Sequence, residues 1–256
     1  MTEGAVSEEV SVEIREDHVA VVEFNRPPHN YFDAALIEQI ADAYAELDAD
    51  PDCRAIVLCS AGKHFCAGAN FGAKNPAEGG HLYEQAIRLF AAQTPVVAAV
   101  QGAAVGGGLG VALSADFRVA SPESRFSANF SRLGIHHGFG LTVTLPLVVG
   151  PQRALELLYT GERVRGEDAH AIGLCDRLVP SAELRGAAAS LAAEIAASAP
   201  LAIRSIRQTM RGELPDRIRA ATAHELEEQG KLFATADFAE GVAATAERRA
   251  PRFNGS

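Results

Sequence analysis

Two glycine-rich segments constrain this 256-residue chain more than any other feature. The first runs Gly62-Lys63-His64-Phe65-Cys66-Ala67-Gly68-Ala69-Asn70-Phe71, and the second Gln101-Gly102-Ala103-Ala104-Val105-Gly106-Gly107-Gly108-Leu109-Gly110. Each follows an apolar run, Ala55 to Cys59 and Val96 to Val100, that reads as a buried strand. Small residues at the ends of two strands present bare backbone N–H groups that a ligand can touch. Either segment alone also reads as an ordinary strand-to-helix turn that needs glycine for a positive φ. The two together argue for a shared binding role.

Other glycine-loop chemistries fail on spacing. No G-x-G-x-x-G falls between Gly102 and Gly110, and no Lys-Ser/Thr follows the glycines as a nucleotide loop requires. No G-x-S-x-G elbow for a nucleophilic serine occurs either.

The rest of the chain alternates strand and helix patterns. Val10 to Phe24 reads as a hairpin around Glu16-Asp17-His18, and Ala34 to Leu47 has helical spacing at Leu36, Ile37, Ile40, Tyr44 and Leu47. Leu82 to Ala92 predicts a helix that Pro95 stops, and Gly107 to Ser114 a second whose N-terminal amides point at whatever binds there. Phe117 to Ala120 and Arg125 to Ser127 read as short strands. From Leu141 onward the pattern is mostly helical, with segments at Leu141 to Val149, Gln152 to Tyr159 and Glu167 to Ile172, then from Glu183, Leu201, Pro215 and Asp237. Pattern alone reads as α/β without distinguishing a spiral from a doubly wound sheet.

No linker, repeat or low-complexity run divides the chain, and the 48% hydrophobic content suffices for one large core. A net charge of −10 argues against a general nucleic-acid surface. Arg248, Arg249 and Arg252 offer a local basic patch for an anionic ligand or, more plainly, a solvated helix end. The cysteines, Cys53, Cys59, Cys66 and Cys175, form no C-x-x-C pair and have no metal-ligand spacing, so no metal is expected. With no apolar signal stretch at the N-terminus and no long apolar run, the expected location is the cytoplasm, with no membrane partner.

The glycine segments, together with Asn25-Arg26-Pro27, the stretch from Thr160-Gly161 to Val179 and the ending Arg248-Arg249-Ala250-Pro251-Arg252-Phe253, resemble the crotonase superfamily, the enoyl-CoA hydratase/isomerase family. The resemblance implies an α/β fold, a spiral of ββα units (1–195) that carries the acyl-CoA site, and a helical C-terminal trimerisation region (196–256). It implies an oxyanion hole for a thioester oxygen, made by the N–H groups of Ala69 and Gly107. Coenzyme A enters as part of an acyl-CoA or enoyl-CoA substrate, and no separate cofactor is implied. Arg26, His29, Ala67, Asn70 and Phe71 fall on stretches beside the CoA moiety, Asn70 standing where many members have aspartate. Homotrimers or dimers of trimers are the implied assembly, and the apolar surface of the C-terminal helices supports association.

The chain departs from that pattern at the chemistry. Hydratases of the family hold and activate a water with two glutamates, and the matching positions here are Gly110 and Phe130. General acid–base catalysis contributes roughly 10²- to 10⁴-fold, so hydration should be largely lost unless other groups substitute. His136 and His137, beside Gly138 at the position that flanks the reacting water in the family, are one candidate acid/base pair. The plainer reading is loop histidines bonded to backbone. His81, Tyr83 and Glu84 form a second set, against the alternative of a solvated helix face. Asp116 is expected to cap the end of the Gly107 helix. Phe130 and Phe139 read equally as acyl-pocket lining and as core.

Two functions of different class follow. One is an acyl-CoA-processing enzyme that polarises a thioester, a hydratase by resemblance, with isomerisation, thioester hydrolysis or C–C cleavage fitting the missing carboxylates as well. The other is a catalytically degenerate acyl-CoA binding protein. A protease on a related spiral is disfavoured, because no serine sits in a nucleophile setting.

Overall fold

The structure, a computed structural model, describes residues 9–69 and 79–256. Strands are β1 (Val10–Ile14), β2 (Val19–Phe24), β3 (Ala55–Ser60), β4 (Val96–Val100), β5 (Ala103–Val105), β6 (Phe117–Ala120), β7 (Arg125–Ser127), β8 (Val164–Arg165) and β9 (Arg177–Leu178). One sheet has the order β1-β2-β3-β4-β6-β9; its β1–β2 hairpin is antiparallel and its remaining pairings are parallel. A smaller sheet has the order β5-β7-β8. The sequence patterns did not resolve β5, β8 and β9, which are two or three residues long and exist through pairing rather than through a period of their own.

Helices follow as α1 (Ala34–Ala49), α2 (Gly79–Ala91), α3 (Gly107–Ser114), α4 (Leu141–Val149), α5 (Pro151–Thr160), α6 (Gly166–Ala171), α7 (Leu184–Ala196), α8 (Pro200–Arg211), α9 (Leu214–Leu232) and α10 (Ala236–Ala246). Asp33 starts α1 by accepting the Leu36 N–H at 3.0 Å, and Leu36, Ile37, Ile40, Tyr44 and Leu47 bury the face their spacing marks out.

Parallel strands covered on both faces need apolar residues throughout, and β3 is buried at every position. Ala55, Val57 and Cys59 face α7, whose Leu184, Ala188, Leu191 and Ala192 form a thin second core. Ile56 and Leu58 point the other way, into the main core with Phe24, Leu36 and Phe65. Alanines along α7 let that helix approach the sheet closely.

Backbone pairing brings the two glycine segments together. Phe65 N–H donates to Gln101 O at 2.8 Å, Cys66 N–H to Ala103 O at 2.9 Å, and Val105 N–H to Cys66 O at 3.0 Å. Gly108 sits at the tightest point: a Cβ there would lie 2.3 Å from Cys66 O.

Asp116 does not cap α3. A carboxylate is repelled by the carbonyl end of a helix, and this one accepts the Val96 N–H at 2.8 Å while pairing with Arg207 and Arg211 of α8, each at 3.0 Å. It fastens helix α8 to the beginning of β4, an interior strand of the sheet. Farther along, α9 packs on α2 and α4, with Leu214 and Ile218 inside the main core, and α10 lies against a 3₁₀ turn at Asn129–Leu133. Helix α8 keeps Leu201, Ile206 and Met210 outward, 81%, 58% and 77% exposed.

Candidate active site

A cavity of about 400 Å³ opens where the glycine segments end. Gly68 and Ala69 form one side, Gly106 and Gly107 another, and Phe130, Phe139 and Tyr83 enclose the space beyond them. Helices α9 and α10 close it with Gln229, Val242 and Thr245. The C-terminal helices thus complete the site of their own chain.

The N–H groups of Ala69 and Gly107 have no acceptor among the described residues. Two local causes leave them free. Phe32 pairs with the Ala69 segment by donating its own N–H to Gly68 O at 3.0 Å, which uses no donor of Ala69. Gly107 is the first residue of α3, where N–H groups lack an intrahelical partner and the helix dipole is positive. Its glycine is required, because a Cβ would meet the Phe32 ring at 2.4 Å.

Among the described residues lining the cavity there is no Asp, Glu, His, Lys or Arg. Packing bears on both positions that the resemblance matched to glutamates, Gly110 and Phe130. A Cβ on Gly110 would lie 2.6 to 2.8 Å from Phe139, so that aromatic side chain fills the space a glutamate would need. Phe130 is 7% exposed and contributes to core and cavity wall at once, as does Phe139 at 1%. Lining and core, two alternatives on the sequence, are one arrangement here. Phe139 holds a left-handed backbone, φ 62°, uncommon for an aromatic residue, and the clamp on its neighbour keeps it there: fully buried Glu225 of α9 accepts from Gly140 N–H at 2.9 Å.

Of the residues singled out on the sequence, the cavity gathers Ala67, Ala69, Tyr83, Gly107, Phe130, Gly138 and Phe139. His136 and His137 do not line it. Their rings stack on each other at 4.1 Å, with His224 6.0 Å from His136. The Nδ1 of His136 donates to His137 O at 2.8 Å, and the Nε2 of His137 meets Thr142 Oγ1 at 2.8 Å. Burial, reinforced by His136 and His224, holds His137 down at about 4, so its imidazole is neutral near neutral pH.

The second candidate set divides. His81 and Glu84 are on the solvent side, where His81 approaches Glu38 at 3.9 Å and Glu84 at 3.8 Å. Tyr83 is buried and lines the cavity, contrary to the solvated-face alternative. Its hydroxyl donates to Gln229 Oε1 at 3.0 Å. Gln229 was missed on the sequence, although Ile218, Thr222, Glu225 and Gln229 share a buried helical spacing, and polar groups on such a face signal a site.

Arg26 lies off the cavity and is engaged by Glu9 through Nε at 2.7 Å and by Asp33 at 2.9 Å. His29 does not line the cavity either; its ring stacks on His64 at 5.7 Å, with Tyr31 edge-on at 5.4 Å. Asn30 is fully spent on backbone, donating to Ala61 O and His64 O and accepting from Arg26 N–H. Asn70 and Phe71 lie outside the described residues. In the C-terminal basic run, Arg249 is paired with Glu240 and Glu247.

Residues 14–256 match the model of the family described as enoyl-CoA hydratase/isomerase. The chain is 34% identical over 248 residues to the crotonyl-CoA hydratase of Syntrophomonas wolfei, covering 93% of this chain and 95% of that one. It is also 34% identical over 244 residues to the short-chain-enoyl-CoA hydratase of Clostridium acetobutylicum, covering 92% and 94%. Among solved structures, an enoyl-CoA hydratase/isomerase from Pseudoalteromonas atlantica superposes with a TM-score of 0.87 at 28% identity, over 96% of this chain and all of that one. The fold is therefore the crotonase-like α/β spiral with a helical C-terminal region, and the chain belongs to the enoyl-CoA hydratase/isomerase family of acyl-CoA-processing enzymes.

Proposed function

We propose that the cavity takes a CoA thioester whose carbonyl oxygen accepts from Ala69 N–H and Gly107 N–H, and that the reaction relies on this polarisation without a carboxylate-held water. The observation that carries the proposal is the pairing of two free backbone donors with a cavity wall lacking carboxylates among the described residues. Fixed donors stabilise the charge that develops on a thioester oxygen without reorganising, and loss of one such donor typically costs about 2.7–4 kcal/mol at the transition state. The helix dipole of α3 adds to the Gly107 donor.

Double-bond isomerisation, thioester hydrolysis and C–C cleavage all need an enolate-like or tetrahedral oxyanion and fit this site at least as well as classical hydration. The named relatives hydrate enoyl-CoA, but Phe139 fills the space that a glutamate at position 110 would need. CoA itself is read as running past Ala67 toward His29, with Arg26 held nearby and Asn70 and Phe71 following in sequence. No further cofactor is part of the reading. The outward apolar residues of α8 support a homotrimer or a dimer of trimers, which sedimentation would test.

A second reading, an acyl-CoA binding protein without turnover, is favoured by the same lack of an ionisable wall. The deciding experiment is the time course of crotonyl-CoA consumption by the purified protein, followed by a panel of saturated and unsaturated thioesters with binding measured in parallel. Slow or absent hydration with turnover of another thioester supports the proposal. Fast hydration overturns it, and binding without any turnover selects the second reading.

A further inference from the structure

Leu82, Leu133, Ile135, Phe139 and Val242 give the cavity an apolar wall, interrupted by the side chain of Thr245 and by one pair of polar side chains that bond each other. Tyr83 of α2 and Gln229 of α9, 146 residues apart, meet there with each residue 8% exposed. The Tyr83 hydroxyl donates to Gln229 Oε1, and Gln229 Nε2 donates to His136 O at 3.1 Å. A primary amide has two N–H donors, and a phenol oxygen has two lone pairs. The second N–H of Gln229 has no acceptor among the described residues. The phenol oxygen has the Phe139 N–H near it and no other donor among the described residues.

The pair is thus incomplete by one donor and one acceptor. Leaving a buried donor unmet costs about 1–3 kcal/mol, whereas two apolar side chains would close the α2–α9 contact without that penalty. The backbone also yields to the pair: a Cβ on residue 138 would lie 2.1 Å from the Tyr83 oxygen and 2.5 Å from Gln229 Nε2. The two polar groups therefore occupy the place of a side chain at Gly138. Burial and the charge of Glu225 push the Tyr83 phenol upward, so it stays neutral and can offer hydrogen bonds but no base.

We propose that Tyr83 and Gln229 form a specificity element that recognises an oxygen, hydroxyl or keto, carried on the acyl group of the thioester. This rests on reading the cavity as a CoA-thioester site. The free N–H of Gln229 donates to that oxygen, and a hydroxyl can in turn donate to Tyr83. Asn129 also lines the cavity, with its Oδ1 3.3 Å from the Cβ position of Gly106, the neighbour of the Gly107 donor. A site with unmet polar groups rejects a ligand lacking the matching group more strongly than an apolar pocket rejects an added hydroxyl.

The test is equilibrium binding of butyryl-CoA against 3-hydroxybutyryl-, 4-hydroxybutyryl- and acetoacetyl-CoA, by wild type, Tyr83→Phe and Gln229→Leu. Wild type is expected to bind at least one oxygenated thioester about tenfold or more tighter than butyryl-CoA. Gln229→Leu should abolish that preference and Tyr83→Phe reduce it, each read as the ratio of oxygenated to saturated thioester affinity within one protein. A purely structural role would lower stability without changing the ratio between ligands. Thioester binding by wild type without preference overturns this inference and leaves the thioester reading intact. Lack of binding by every thioester overturns both. The wild-type comparison decides even where a variant fails to fold.

Discussion

Glu225 and Thr142, 83 residues apart, are joined twice: Glu225 Oε1 accepts from the Thr142 N–H at 3.0 Å and from its hydroxyl at 2.6 Å. The hydroxyl has a single proton, so His137 Nε2 must donate to Thr142 Oγ1 rather than accept from it. With Gly140 N–H on its other oxygen, Glu225 holds the whole turn that carries Gly138 and Phe139 into the cavity.

Replacing Glu225 by Ala strands the buried N–H of Gly140 and the part-buried N–H of Thr142. The expected loss is about 2–4 kcal/mol of folding stability, read from urea denaturation, with weaker thioester binding as the turn loosens. Glu225→Gln should lose less, because one oxygen remains. Wild-type stability in the alanine variant would show that the turn holds itself.

Gly108→Ala drives a methyl group to 2.3 Å from Cys66 O and 2.9 Å from Cys66 Cβ, separating the two glycine segments. A stability loss of about 1–3 kcal/mol is expected, together with loss of thioester binding. Gly186, within α7 and facing open space, is the control: its change to Ala should stabilise the chain by about 0.5–1 kcal/mol. Equal effects at the two positions would contradict this account of their surroundings.

All four cysteines are buried and free. Burial pushes Cys53, Cys59 and Cys175 up to about 11 and Cys66 up to about 12, so none offers a thiolate near pH 8. An aromatic disulfide reagent should release almost no chromophore from the native protein and four equivalents after denaturation. Prompt reaction of one thiol in the folded state would identify an opening that this packing does not contain.

His137 is held at about 4, below its ordinary 6.5, by burial and by the neighbouring His136 and His224. The unfolded chain therefore binds a proton more readily, and stability should fall as pH drops from 6.5 toward 4, levelling below that. Denaturation midpoints across this window should give a shallower slope for His137→Asn than for wild type. Because the imidazole stays off the cavity, turnover of any accepted thioester above pH 7 should change less than about threefold in the same variant. A larger loss would return His137 to the chemistry.

Much of the fold was legible because its causes are local. The Leu36 to Leu47 spacing, the alternation around Glu16-Asp17-His18 and the apolar run before each glycine segment each encode an element within a few residues. Strands β5, β8 and β9 were not legible, because pairing rather than pattern creates them.

At the site, the sequence by itself determined two glycine-rich segments, each after an apolar run, and a glycine and a phenylalanine at positions 110 and 130, neither able to carry a proton. Which polar side chains enter the cavity was decided by tertiary structure. His136, His137 and Gly138 are adjacent in sequence, yet only Gly138 lines the cavity. That choice depends on Glu225 pinning the following turn and on Tyr83 and Gln229 occupying the space beside Gly138. Those groups come from α2 and α9, and their meeting is set by helix packing across the core, which no local pattern encodes.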